Sequence, residues 1–254
     1  MAIPYRQGLI LVLSSVSLYA DIIGGELSLG FFSHTPSGTA SYQSTLSVDA
    51  EDDLYWDTEQ DMMLKAYIEH PVPLLPNIKI AYSTLSHEGS GEVSGFTWGD
   101  IVNVSGNIDD SFDLGMYDLT LYYELLDNVV EADVGLTLRY LDGSVDVAVT
   151  PFSSSPLHAT YEAVDFTAFA PMLYGKLRTN IPSTDISLQF EGNVFSYDET
   201  TLFDYEISAR YLFSFGVGLE AGYRYAHLDS TELEDGLIID VDFRGPFAAL
   251  VWDF

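Results

Sequence analysis

Residues 119–140 read LTLYYELLDNVVEADVGLTLRY, and two amphipathic strands are visible in them. Leu119, Leu121, Tyr123 and Leu125 share one face, opposite Asp118, Thr120, Tyr122 and Glu124. In the second segment Val130, Ala132, Val134, Leu136, Leu138 and Tyr140 share a face, opposite Glu131, Asp133, Gly135, Thr137 and Arg139. A period of two marks a β-strand with one apolar face. Asp127 and Asn128 between them tolerate positive φ and suit a tight hairpin. A two-residue turn sets 125 opposite 130 and 121 opposite 134, and the two apolar faces then coincide.

The same rhythm extends in both directions. Phe203, Tyr205, Ile207, Ala209, Tyr211 and Phe213 form one face, and Val217, Leu219, Ala221, Tyr223 and Tyr225 the next, around the turn Ser214-Phe215-Gly216. The alternation of Tyr161 to Arg178 slips near Thr167 to Pro171, which predicts a bulge. Ten strands follow, at 22–34, 61–70, 77–86, 113–126, 129–141, 161–178, 184–195, 201–213, 217–228 and 245–254. Turns at 71–76, 127–128, 179–183 and 214–216 are short, whereas the connections 35–60, 87–112 and 142–160 are long. That is the rhythm of periplasmic turns and external loops in an outer-membrane barrel. The fold class is therefore all-β, an antiparallel transmembrane β-barrel of ten strands closed by the C-terminal strand. Gly91 to Val104, Ser144 to Thr150 and Leu237 to Phe243 read as extra strands or protruding hairpins, which keeps eight and twelve strands as alternatives.

Both ends of the chain fit export. Arg6 precedes the apolar run Gly8 to Leu18, and Ala20 offers a cleavage point before Asp21. This predicts a signal peptide over residues 1–20 and a barrel over 21–254, located in the outer membrane. No stretch reaches the length of a membrane-spanning helix. Leu250, Trp252 and Phe254 alternate to a terminal aromatic, the form of signal that barrel-assembly machinery reads. With 39 acidic and 9 basic residues the chain is poorly suited to nucleic acid. It has no cysteine, so disulfides and cysteine-ligated metals are excluded.

Four strings carry a resemblance: residues 69–77 (EHPVPLLPN), 121–128 (LYYELLDN), 220–224 (EAGYR) and 244–247 (RGPF) before Phe254. With them the mature chain resembles a family of small outer-membrane β-barrel proteins of marine gammaproteobacteria. The resemblance implies fold and location, and no reaction.

Candidate chemistry is sparse. His34, His87, His158 and His227 fall near external strand ends, and His70 near a periplasmic one. His227 with Asp229 and Ser230, and His158 near Ser153 to Ser155, are weak matches to a hydrolytic site. The reading is accordingly not an enzyme, with no cofactor. Asp49, Glu51, Asp52, Asp53, Asp57 and Glu59 crowd the first loop, and Glu232, Glu234 and Asp235 the last, where carboxylates suit divalent cations.

Parity sends Lys65, Lys79, Arg139, Lys176, Arg178, Arg210 and Arg224 inward, with Glu69, Glu124, Glu131, Asp185, Glu206 and Glu220. Register counting sets Arg210 opposite Glu220, Glu206 opposite Arg224, Arg178 opposite Asp185 and Glu69 opposite Lys79. Glu124 and Glu131 face each other as like charges, with Lys79 and Lys176 the nearest cations by topology. A ten-stranded barrel is narrow enough to be filled by such pairs. The sequence thus predicts a monomeric barrel with a charge-plugged lumen and acidic external loops, in an envelope-structural or surface-interaction role. Its partners would be outer-membrane lipid, lipopolysaccharide and the assembly machinery. A narrow channel for small solutes is the alternative, and a lipid- or peptide-modifying rim enzyme the third reading.

Overall fold

Alternating side chains leave each strand with one face for each solvent, and a closed sheet is the arrangement that leaves no edge unpaired in lipid. The computed structural model describes residues 24–254 apart from Pro73, 153–159 and Glu232, and apart from the side chain of Asp127. The signal-peptide segment 1–20, His158 and Ser153 to Ser155 lie outside the described residues. The strands are β1 (Gly24–Tyr42), β2 (Val48–Asp49), β3 (Glu59–Glu69), β4 (Asn77–Trp98), β5 (Ile101–Asp127) and β6 (Val130–Pro151). They continue with β7 (Tyr161–Asn180), β8 (Ile186–Tyr197), β9 (Thr200–Leu212), β10 (Val217–Ser230) and β11 (Leu237–Asp253). All neighbours are antiparallel, and β11 returns to pair with β1 from Glu26↔Asp253 to Tyr42↔Leu237. Ten strands make the closed barrel; β2 is a two-residue addition to β1 inside the first long loop. Among the described residues no helix is long and apolar enough to cross a membrane.

The outer face defines the membrane band. Tyr82, Tyr117, Tyr140 and Phe169 lie side by side on β4 to β7 in matched register, with ring centroids 4.8, 6.0 and 4.9 Å apart. Phe203, Tyr205 and Tyr225 stack at the same end of β9 and β10. At the short-turn end stand Tyr211 and Phe213, 5.0 Å apart, and Trp252 and Phe254, 4.9 Å apart. Ten residues separate Phe203 from Phe213, about 33 Å of strand, or about 25 Å of thickness at a tilt near 40°. Exposed Leu119, Leu121, Leu136, Leu138, Leu188 and Ile207 fill the space between the two belts. An apolar band of that height between aromatic girdles is the exterior of an outer-membrane barrel.

Beyond the outer girdle the strands do not stop; they exchange faces. On β6 Leu136, Leu138 and Tyr140 point out while Thr137 and Arg139 point in. Five residues later the outward positions are Asp142, Ser144 and Asp146, and the inward ones Leu141, Val145, Val147 and Val149. β4 does the same, with Ile78, Ile80 and Tyr82 outward in the band and Leu85 and His87 inward above it. Parity never changes; the external solvent does, from hydrocarbon to water, so the apolar side moves to the lumen. The segment 87–112 and the described residues 142–151, expected within long loops, are therefore largely strand, forming a tall wall of β4 to β7. β3 pairs with β4 only up to Met63↔Ser83, and β8 with β7 only up to Leu173↔Val194, so the wall has two free upper edges.

Two local expectations need correction. The β6–β7 register runs without a shift from Val130↔Thr179 to Ala148↔Tyr161, so there is no bulge at Thr167 to Pro171. What looked like slippage is the exchange of faces, and Pro171 sits where β7 has no partner on its β8 side, a place that tolerates a missing N–H. In the β5–β6 hairpin Leu121 faces Leu136, so pairing 121 with 134 is off by two: the turn is longer than two residues, with Asp127 facing Glu131, and an irregularity between Glu124 and Leu126 takes back one position. The β9–β10 turn closes with the Phe213 N–H on the Val217 carbonyl, and Gly216 at φ +84° supplies the left-handed residue it requires.

Candidate functional site

Within the membrane band the lumen is a layer of ion pairs. Lys65 bridges Glu206 at 2.5 Å and Glu191 at 3.3 Å, and Lys79 reaches Glu191 at 2.6 Å. Arg139 binds Asp118 at 2.7 Å and Asp204 at 2.6 Å; Arg224 lies 3.2 Å from Asp204 and 3.8 Å from Glu206. Lys176 pairs with Asp133 at 2.8 Å, and Arg178 with Glu26 at 3.1 Å and Glu131 at 3.5 Å. Arg210 forks onto Glu26 and reaches Glu220 at 2.9 Å. Glu191 is the hub, since it also accepts from Tyr67 at 2.9 Å and Tyr174 at 2.8 Å. Seven cations thus meet eight carboxylates, and each isolated charge would be costly without its partners.

The sequence-derived pairs divide. The structure brings Arg210 opposite Glu220 and Arg224 opposite Glu206. It does not bring Arg178 to Asp185: Asp185 is exposed in the turn, and Arg178 faces Gln189, which accepts from it at 2.9 Å. The turn is longer than assumed, with Asn180 facing Ser187, so the register moves by four. Nor does Lys79 face Glu69; it faces Tyr67, a slip of two. His70 sets that turn, its N–H on Asn77 and its ring on the Pro76 carbonyl, and Glu69 instead accepts from Tyr122 at 3.1 Å. Glu124 faces Asp133 rather than Glu131 and accepts from Asn77 at 3.2 Å. Glu26, Asp118, Asp133, Glu191 and Asp204 were not counted as partners. Parity could have found all of them, but not the cross-lumen contacts they make. Leu250 and Trp252 face outward on β11, and Phe254 exchanges two backbone hydrogen bonds with Gly25.

A second closure lies above the first. The Arg224 guanidinium sits 5.2 Å from the Phe32 ring. From there Phe32, Leu85, Phe112, Leu141, Phe166, Met172 and Phe243 fill the barrel, none more than 2% exposed. The first loop adds Val48, Ala50, Leu54 and Trp56 from above. Two cavities of about 20 Å³ lie beside these layers, each room for about one water. A 220 Å³ vestibule lies at the short-turn end, among Glu26, Glu69, Glu131 and Arg178.

Two histidines sit in the apolar closure. His34 is 3.0 Å from Asp61 through Nε2 and 3.1 Å from His87 Nε2 through Nδ1, and His87 Nδ1 is 3.0 Å from the Asp57 carbonyl. Both ends of this chain are acceptors, the Asp61 carboxylate at one and the Asp57 carbonyl at the other. Burial pushes His87 down to about 4, with the neighbouring His34 adding to it. On Asp61 burial is outweighed by hydrogen bonds from His34, the Ser86 N–H and Thr84, which hold the carboxyl below its ordinary range. His227 points outward and pairs with Asp242 at 2.7 Å, not with Asp229 or Ser230; Ser230 faces the lumen side and is buried.

Outside both closures, an 870 Å³ cleft lies between the first loop and the wall of β4 to β7. Glu51, Asp57, Glu59, Glu88, Asp109, Asp110 and Asp146 line it, with Tyr55, Trp56 and Tyr161 and, among the described residues, no Lys, Arg or His. Asp110 is 7% exposed. Its Oδ1 accepts from Trp56 Nε1 at 2.6 Å, while its Oδ2 has no partner among the described residues. Burial, with Asp109 beside it, pushes this carboxyl up to about 7. Among the described residues no three acidic or histidine side chains converge closely enough to hold a metal ion.

The geometry defines an outer-membrane β-barrel with a filled lumen and an external crown. Comparison with solved structures agrees on the fold. The outer-membrane protease OmpT of Escherichia coli aligns over 94% of this chain and 99% of its own, with a TM-score of 0.52 and 15% identity. The translocator domain of the autotransporter NalP of Neisseria meningitidis aligns over 91% and 87%, at TM-score 0.46 and 13% identity. At such identity the likeness to OmpT is one of fold. No family model matches the chain, and no curated protein does.

Proposed function

We propose that this protein is a sealed outer-membrane barrel that serves the envelope through its external crown, in a structural or surface-interaction role, and does not conduct solutes. The observation that carries this is the double closure: a layer of paired charges across the membrane band and an apolar layer directly above it. A channel tolerates one constriction that moves; two stacked closures of different chemistry have no common motion that opens both. Leu250, Trp252 and Phe254 serve as the assembly signal in this reading, and Arg244 and the outer aromatic belt face the lipopolysaccharide leaflet. Swelling of proteoliposomes in isotonic small sugars tests it: the expected rate equals that of protein-free vesicles, and size-dependent swelling would establish the narrow-channel alternative.

A further inference from the structure

We propose that the external cleft binds a linear organic polycation, a chain carrying spaced primary ammonium groups, with the Asp110 carboxylate as its anchor. This rests on the reading of the crown as the working part of the molecule, and it names the ligand that part would take. The cleft, at 870 Å³, is far larger than a single ion. Its carboxylates are spread along it and do not converge three at a time, so spaced positive charges fit them and a lone metal does not. Sharing the cleft with Asp110 are Asp109 on its own strand, Glu88 from β4, Asp146 from β6, Glu59 from β3, and Glu51 and Asp57 from the first loop. All carry the same sign, and no cation of the described chain lines the cleft to neutralise them.

Asp110 is the second, independent observation. A carboxylate oxygen buried without a partner costs stability, and an ammonium donor removes that cost. Trp56 holds the other oxygen and so fixes the direction of the carboxyl. Gly89 lets the Leu54 carbonyl and the Asp110 carboxyl approach the β4 backbone: a Cβ there would collide with that carbonyl and lie 3.0 Å from Asp110 Oδ2. Tyr55 and Tyr161, both exposed, supply surfaces for the methylene segments between charges, and faces for the charges themselves.

Calorimetric titration of the refolded full chain in detergent micelles with spermine, with a tri-lysine amide, and with Mg²⁺ alone tests the proposal. Saturable spermine or tri-lysine binding is expected, strengthening as pH rises through the Asp110 transition. The tighter of the two identifies a free polyamine or a basic peptide as the source. Asp110→Asn should weaken binding about tenfold or more, as loss of a charged hydrogen bond does. Glu88→Gln, at an exposed position, should weaken it less. Asp185→Asn, which removes the same charge at the opposite end of the barrel, should leave it unchanged. Equal weakening by Asp110→Asn and Asp185→Asn, absence of saturation, or a stoichiometric Mg²⁺ site that excludes spermine would overturn it. Vesicle swelling reads the sealed lumen separately, so either idea can fail without the other.

Discussion

Single residues carry the electrostatics of both compartments. Glu191 accepts from two lysines and two tyrosines while only 2% exposed. Glu191→Leu leaves Lys65 and Lys79 short of their shared counter-charge in a closed lumen. Breaking a buried pair from one side costs about 3–5 kcal/mol. Refolding titrations in lipid vesicles should show a loss of that size, and an unchanged midpoint would mean that water, not Glu191, solvates the lysines. Asp110 is costly in the other direction. Its carboxyl ionises near 3.8 in an unfolded chain and near 7 in the folded one. Between those values the folded protein holds a proton that the unfolded chain has released, so this group's contribution to stability falls as pH climbs and is fully lost above 7. Asp110→Asn removes that loss, so the variant should be more stable than the parent near pH 8 by about 1–4 kcal/mol. The difference should close near pH 4. Thermal melts at both pH values decide this, and equal stability near pH 8 would mean that the carboxylate is solvated.

Strands set what each residue faces, and the exchange of faces at the outer girdle can be measured on one of them. Leu136 and Asp142 share the outward side of β6, below and above Tyr140. Leu136→Arg should destabilise the barrel by about 2–4 kcal/mol, as for a cation near the bilayer midplane, and Asp142→Arg by about 0–1 kcal/mol. Equal costs would put both positions in one solvent and remove the boundary from Tyr140. Closure is the second test at this scale. Phe254 is latched to Gly25 by reciprocal backbone hydrogen bonds, and its ring packs on Trp252. Its deletion should lower the heat-modifiable, folded fraction in outer membranes more than deleting a residue of the first loop does; equal levels would contradict its role in assembly. Strand count and facing were legible because period two needs only local sequence. Register was legible at the turn 213–217, and lost at 127–131, 70–76 and 181–185, where the number of residues in the turn could vary. The upper strands were legible only as extra strands or hairpins at 91–104, 144–150 and 237–243, and not as continuations of the barrel strands, because their apolar residues sit on the inward face, where the band carries polar ones. The acidic first loop was visible, but not its folding onto the wall to make a cleft, since that depends on contacts such as Trp56 with Asp110, 54 positions apart.

The whole molecule separates its charge. Of 39 acidic and 9 basic residues, eight and seven belong to the lumen layer, which leaves 31 acidic and two basic ones elsewhere. The membrane section is thus close to neutral, and the excess negative charge belongs to the crown, turns and termini. A field of that sign draws cations toward the external surface and repels anions. The proposed sealing draws on the same partition: seven of the nine basic residues are committed to ion pairs of the lumen layer. Planar-bilayer recording of the refolded barrel tests this most directly. The expected record is a baseline without unitary steps over the full voltage range in both salt directions. Reproducible, ohmic single-channel steps from pure, correctly folded protein would contradict the sealed lumen.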